Sequence, residues 1–404
     1  MNRLTAWAVY ANIFLVMLGL GVIAPNLTDI RKSFDVSYAE ISWGVSAFAL
    51  ARLVMNLPAG YAAGRLPRLP LLMAGAACVL GGSVLAAFST GLPMFLAARA
   101  ASGLGSSVCT TVGLTIILDT AEPERRGRAS GLYHSAIGGG AFFGPGFGGL
   151  LAVAGGWRAA LFGAAGASAI SLIFLALVLR RGQSRIQRTP ERSGAAAPQS
   201  VSVLALLVAG FVAYTAAFAI FFARGSVQQT LVPLMGRDEI GLSAAALSAL
   251  LMVSAGFTSL LGPVAGSLSD RFGRARLLLP GLALLSAGTL LLTLASTPAL
   301  FIAGFAVVSL AGTVNSIPSS VIVDSVSSSQ RSLAIGVYRV VGDSALTAAP
   351  IISGWLTDAQ GFRAAGIMSA GVVAVALAVA IVGSRRAVSS LPTYSVVAEA
   401  PAAR

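Results

Sequence analysis

Arg126-Gly-Arg-Ala-Ser-Gly131-Leu-Tyr133 is answered 205 positions later by Arg331-Ser-Leu-Ala-Ile-Gly336-Val-Tyr338. The same shift superposes Ala129 on Ala334, Pro145 on Pro350, Gly149 on Gly354, Gly156 on Gly361 and Arg158 on Arg363, and no gap is needed. A shift of 206 pairs Gly60 with Gly266, Arg65 with Arg271 and Arg68 with Arg274. The chain therefore reads as two related halves.

Hydrophobic residues make up 56% of the 404 positions and charged residues 10%, too little polarity to cover a water-soluble protein of this length. Apolar stretches of roughly 18 to 25 residues recur from end to end, each about long enough to cross a 30 Å hydrocarbon layer as a helix. Punctuation by charged residues and by Pro, Gly and Asn predicts spans near 6–27, 41–63, 70–88, 92–118, 129–154 and 159–179. A second set is predicted near 201–223, 243–268, 277–295, 299–323, 333–356 and 364–383. The first stretch follows a short positive start at Arg3 but has no small-residue cleavage site before Pro25, so it is kept as a span.

The expected fold is all-α and integral to the membrane, with twelve transmembrane helices in two pseudo-symmetric six-helix bundles, 1–179 and 201–384. Between them, 180–200 is rich in Arg, Ser, Pro and Gln and reads as a flexible linker. The end, 385–404, reads as a disordered tail. A net charge of +13 would suggest a nucleic-acid partner in a soluble protein, but here the charges sit in short loops and are topology signals. Most of them fall on one side if the amino terminus is inside, which predicts both termini in the cytoplasm. The Arg-rich composition, with a single Lys, suits a GC-rich bacterial genome, and hence a multi-pass protein of the bacterial inner membrane. Cys78 and Cys109 lie in apolar segments without ligand spacing, so neither a metal nor a disulfide is expected.

The stretch Gly266-Ser-Leu-Ser-Asp270-Arg271-Phe-Gly273-Arg274 resembles the signature loop of the major facilitator superfamily, and the repeat fits that family over nearly the whole chain. Physically, a carboxylate and guanidinium groups beside a helix end can bond to each other and to terminal carbonyls, holding one conformation until the halves move. The first-half copy keeps Arg65 and Arg68 but has Gly64 where the family usually carries Asp, and Pro67 where it carries Gly. In the family that Asp latches the outward-open state, so its absence puts the usual latch in doubt. Both loops also serve as positive-inside markers. The fifth predicted helix carries Gly131, Gly140, Gly144-Pro145 and Gly148-Gly149, a spacing that resembles the antiporter signature of drug-exporting members. Small residues four apart let helices approach closely, and Pro145 permits a bend. The eleventh helix keeps Pro350 and Gly354 but has Ala349 for the first glycine of the pair, so the signature belongs to the first half alone.

Ionisable residues inside predicted spans are candidate sites by default, because charge at that depth is unfavourable unless paired or watered. Arg99, followed by Gly103 and Gly105, resembles the family's intramembrane Arg motif, which in relatives is associated with proton coupling; the alternative is an arginine that reaches the outer interface. Asp343 lies near the middle of the eleventh helix. Arg339, one turn before it, offers a pair within the helix. Arg52, on the second helix, offers a pair across the two halves that forms in one state and breaks in the other. A carboxylate that trades an arginine for a proton would couple transport to the proton gradient. His134, the lone histidine, occupies the repeat position of Arg339 and could relay protons or bond a neighbouring helix. Arg224, placed near the outer end of the seventh helix, could meet an anion or anchor at the interface. Tyr10, Asn12, Tyr214, Phe218 and Asn315 lie on helices that line the cavity in the family fold, where aromatics and amides suit a lipophilic compound with a few polar groups, or serve packing.

The resemblance implies a secondary active transporter that exports small lipophilic compounds of drug or natural-product type by alternating access, in exchange for protons. Its partners would be the small-molecule substrate, protons and the bilayer, with no nucleic acid, and a monomer is expected. The runner-up is an organic-anion or metabolite carrier of the same fold, suggested by three arginines against one aspartate within the helices. No Gly-rich Lys-Ser/Thr loop appears, so no nucleotide or other cofactor is expected. A membrane enzyme would show clustered His, Asp or Cys near one face, a pattern this sequence lacks.

Overall fold

The computed structural model describes residues 3–122, 125–180, 210–326 and 330–389. The expected linker, with its neighbours up to 209, and the tail from 390 onward lie outside the described residues. Ten helical traces are long and apolar enough to cross a membrane: Leu4–Phe34, Tyr38–Arg65, Arg68–Ala87, Leu92–Thr120, Arg128–Arg180, Phe211–Asp238, Ala244–Phe272, Arg274–Thr293, Pro298–Asp324 and Leu333–Gly383. Two of these, of 53 and 51 residues, would each measure roughly 80 Å if straight, well beyond one hydrocarbon core. Both are broken. Gly156 (φ 71°) and Gly361 (φ 84°) stand in the left-handed region that side-chain-bearing residues avoid, and they are the repeat partners noted above. Among the described residues this gives twelve helical segments, consistent with twelve passes. In chain order they are α1 to α4 (Leu4–Phe34, Tyr38–Arg65, Arg68–Ala87, Leu92–Thr120), α5 and α6 (126–154, 157–180), α7 to α10 (Phe211–Asp238, Ala244–Phe272, Arg274–Thr293, Pro298–Asp324), and α11 and α12 (331–360, 362–389).

The repeat survives as contacts. Tyr10 donates to the Ala129 carbonyl at 3.3 Å, and Tyr214 to the Ala334 carbonyl at 3.3 Å. Tyr133 donates to the Thr110 carbonyl at 3.0 Å, and Tyr338 to the Asn315 carbonyl at 3.5 Å. Val108 packs onto Gly75 as Val314 packs onto Gly281. Outward-facing Leu150, Val153 and Val375 are 72%, 71% and 63% exposed, an arrangement that water opposes and lipid accepts.

Two expected spans were too short. α1 runs on to Phe34 and α7 to Asp238, because the polar residues that looked like punctuation are buried: Asn26 and Thr28 are almost wholly enclosed, and Thr28 donates to the Pro233 carbonyl of the other half at 3.3 Å. α7 passes from α-helix to a wide π-helical turn over Arg224–Leu231 before resuming. α10 tightens to a 3-10 turn over Gly312–Ser316.

The halves meet along two seams related by the repeat, α2 with α11 and α5 with α8. Toward the face where α1 ends and α2 begins, both are closed. Gly354 approaches Ser42 and the Tyr38 carbonyl, while Gly146 faces Met252 and Gly256 faces Phe142. Toward the opposite face, which carries Arg65, Arg68, Arg271 and Arg274, the same four helices part. A Cβ on Gly60, Gly64, Gly131, Gly262, Gly266 or Gly336 would meet nothing within 4 Å.

Candidate functional site

The closed face is held by charge. Asp238, at the end of α7, receives Arg31 at 3.1 Å and Lys32 at 2.8 Å from the end of α1, with Tyr38 donating at 3.3 Å. Arg237 returns the contact to Asp29 at 2.9 Å. Ser37 and Glu40 form a reciprocal cap at the start of α2, which satisfies its first donors in the ordinary way. Asp358 of α11 then takes the Tyr38 and Ala39 amides at 3.0 and 2.7 Å, setting a carboxylate from one half on a helix N-terminus of the other.

A cavity of about 650 Å³ opens among the parted helices, walled by His134, Phe221, Arg224, Asn315, Tyr338 and Arg339 and reaching Arg274 and Asp324. Just beyond that wall lies Asp343, 8% exposed. Its carboxylate accepts from Asn56 Nδ2 at 2.5 Å and stands 3.9 Å from the Arg52 guanidinium, both on α2 of the other half. Asn56 Oδ1 accepts in turn from Ser107 at 2.7 Å. A path of bonds therefore runs from α4 through α2 to α11. Arg339, one turn from Asp343, makes no ion pair with it among the described residues; its side chain faces the cavity instead. Asn56 and Ser107 escaped the sequence reading, although an amide one turn after Arg52 on the same helix was a legible signal.

The residues expected in the cavity are placed as follows. Tyr10 and Tyr214 close the helix pairs within their own halves through the bonds given above. Asn12 is fully enclosed and donates to Ser171 of α6 at 2.6 Å. Phe218 stacks on Phe222 at 5.9 Å; Phe221, one turn of the wall away, takes the cavity position. These four positions share helices with the cavity, but a helix has faces, and spacing from a neighbouring element was needed to choose between them. Asn315 and His134 do line the cavity, and His134 Nδ1 lies 2.9 Å from the Ser130 carbonyl. Arg224 stands near the middle of α7, not at its outer end, so the interface-anchor alternative does not apply.

Arg99 does not reach the outer interface. It is 7% exposed, donates to the Gly44 carbonyl at 3.0 Å and lies 4.8 Å over the Phe48 ring, tying α4 to α2 inside the first half.

The α5 glycines divide by face. A Cβ on Gly144 would stand 2.7 Å from the Leu18 carbonyl oxygen, and one on Gly148 2.8 Å from Val22 Cα; Gly140 lies against the Phe14 carbonyl. Pro145 also touches α1, its Cδ near Gly21. Gly149 instead abuts Ser248 of α8. Gly131 is in open space, so packing accounts for the others and not for it.

In the second-half loop, Arg274 bridges Asp270 at 2.7 Å and Asp324 at 2.8 Å, and Gly273 turns the chain at φ 98°. Gly266 packs on nothing, and Arg271 lies 5.9 Å from the Phe272 ring. In the first half, Arg68 binds Asp119, the repeat counterpart of Asp324, and caps the Ala63 carbonyl at 3.1 Å. Arg65 lies over the Tyr61 ring at 4.1 Å. The missing loop carboxylate therefore leaves one arm of the network standing.

A family model described as Major Facilitator Superfamily matches residues 9–259 and again 206–401. An MFS-type transporter, ppzB, from Metarhizium rileyi is 33% identical over 172 residues, 41% of this chain and 36% of that protein. The multidrug resistance protein Stp of Mycobacterium tuberculosis is 28% identical over 167 residues, 40% of this chain and 31% of that protein. The matched stretches thus span about a third of the length of these relatives. Among solved structures, a bacterial homolog of the human lysosomal transporter Spinster, described as inward-facing and unoccupied, superposes with a TM-score of 0.76 at 18% identity, covering 94% of this chain and 96% of that one.

Proposed function

The chain belongs to the Major Facilitator Superfamily, and on that premise we propose that it exports small, largely apolar compounds by alternating access, in exchange for protons taken up at Asp343. The arginine-bearing face is cytoplasmic on this reading, and the cavity is loaded from the cytoplasm or inner leaflet. The observation that carries the proposal is the position of Asp343. It lies in a seam between the moving halves, beside the cavity, and its partners Arg52 and Asn56 belong to the other half.

The step follows from those contacts. With the seam closed, Arg52 and the Asn56 amide stabilise the ionised carboxylate. Rocking that parts α2 from α11 removes both, and a carboxylate stripped of its cation at membrane depth favours the protonated form. A proton taken from the outside is released when the seam reforms. On α5, close backbone contact with α1 at Gly140, Gly144 and Gly148 supports rigid-body movement of the first half. Relatives named multidrug resistance proteins support export.

The test is flux of the uncharged dye N-phenylnaphthylamine and a panel of apolar drugs in proteoliposomes under an imposed pH gradient. Saturable, gradient-driven movement against the proton flow is expected. Flux of every compound that ignores the gradient would remove proton exchange from the account.

A further inference from the structure

We propose that Arg224 and Arg339 form an anion subsite in the cavity wall, and that the compounds held best are apolar bodies carrying one acidic group, a carboxylate or a sulfonate. This rests on the cavity being the substrate site.

Both side chains are exposed to the cavity. Among the described residues, neither guanidinium has a hydrogen bond or a carboxylate within 4 Å. The acids nearby are already engaged: Asp324 by Arg274 at 2.8 Å, and Asp343 by Asn56 and Arg52 across the seam. Arg224 lies within electrostatic reach of both Arg52 and Asp343, so with Arg339 three guanidinium groups stand near one carboxylate that Arg52 and Asn56 already engage. Two guanidinium groups without a direct ion pair at membrane depth are unfavourable unless water or a counter-ion meets them. A planar guanidinium matches the paired oxygens of a carboxylate or sulfonate.

Beside them, Ile220, Phe221 and Ile335 offer an apolar surface, and the volume suits a drug-sized molecule. An anion that leaves an inside-negative compartment moves down the membrane potential. Exit of an acidic compound is therefore favoured without a proton exchanged at Asp343, whereas an uncharged compound depends on that exchange.

The test compares two dyes that differ by one charge, anilinonaphthalene sulfonate and uncharged N-phenylnaphthylamine, bound to the full chain in lipid nanodiscs, with empty nanodiscs subtracted. Arg224→Gln and Arg339→Gln are each expected to weaken sulfonate binding about tenfold or more and amine binding less than about threefold. Arg224→Lys should fall between. Asp343→Asn removes a competing negative charge and should tighten sulfonate binding a few-fold. Equal losses for the two dyes, or unchanged sulfonate binding in the double glutamine variant, would overturn the subsite. Arginine-dependent sulfonate binding by a protein that carries neither dye in liposomes would uphold the subsite and defeat the transport reading.

Discussion

The two seams between the halves are related by the repeat and share a Gly–Ser contact, yet only one of them adds charge. Along α5 and α8 the contacts are small residues against side chains: Gly149 with Ser248, Gly146 with Met252 and Gly256 with Phe142, with one bond of 3.3 Å from Ser259 to the Gly138 carbonyl. Along α2 and α11 the equivalent small-residue contact, Gly354 with Ser42, is kept, and charges and amides are added, with Asp343 held by Arg52 and Asn56 and Asp358 held by the first amides of α2. Shape holds the first seam closed, and it depends little on protonation. Charge is added to the second, and on the proposed reading that is where the proton acts. On the proposed exchange, the first seam slides and the second senses.

That contrast can be broken at four places. The largest effect is expected at Gly149→Val, which drives methyl groups into Ser248 and costs about 1–3 kcal/mol in the closed arrangement. Transport should fall about tenfold at every pH, with the shape of the pH profile kept. Asn56→Leu works on the other seam. It removes a hydrogen bond to a charged group, so gradient-driven transport should fall several-fold, less than in Gly149→Val, while counterflow at equal pH is kept. Asp358→Asn weakens a charged cap by about 0.3–1 kcal/mol; a cysteine placed on the closed face should then label a few-fold faster. The smallest effect is expected at Arg274→Gln, because exposed loop pairs are worth about 0–1 kcal/mol each, and differential labelling on the open face would register it.

The fold was legible because membrane helices are read by length and apolarity, and because the repeat fixed the pairing of halves without any structure. Gly156 and Gly361, superposed by the repeat, stand where the two long traces break. What the sequence hid was direction. Whether Tyr10, Asn12, Tyr214 and Phe218 face a cavity or their own bundle depends on a rotation about the helix axis, and in an apolar span every face is hydrophobic, so periodicity carries little signal. The same limit hid the full extent of α1 and α7, whose polar ends looked like loops until their partners in the other half were placed beside them. Asp343 and Arg52 were visible because isolated charges stand out against an apolar background. Asn56, with no formal charge, did not stand out, although it makes the shorter contact.

The central claim is that the charged seam, through Asp343, carries the proton. Asp343→Asn is the most direct test, measured as N-phenylnaphthylamine flux in the same liposomes with and without a pH gradient, alongside counterflow at equal pH. The account predicts that gradient-driven flux is lost while counterflow, which needs only the rocking of the halves, persists. Undiminished gradient-driven flux in this variant would contradict it.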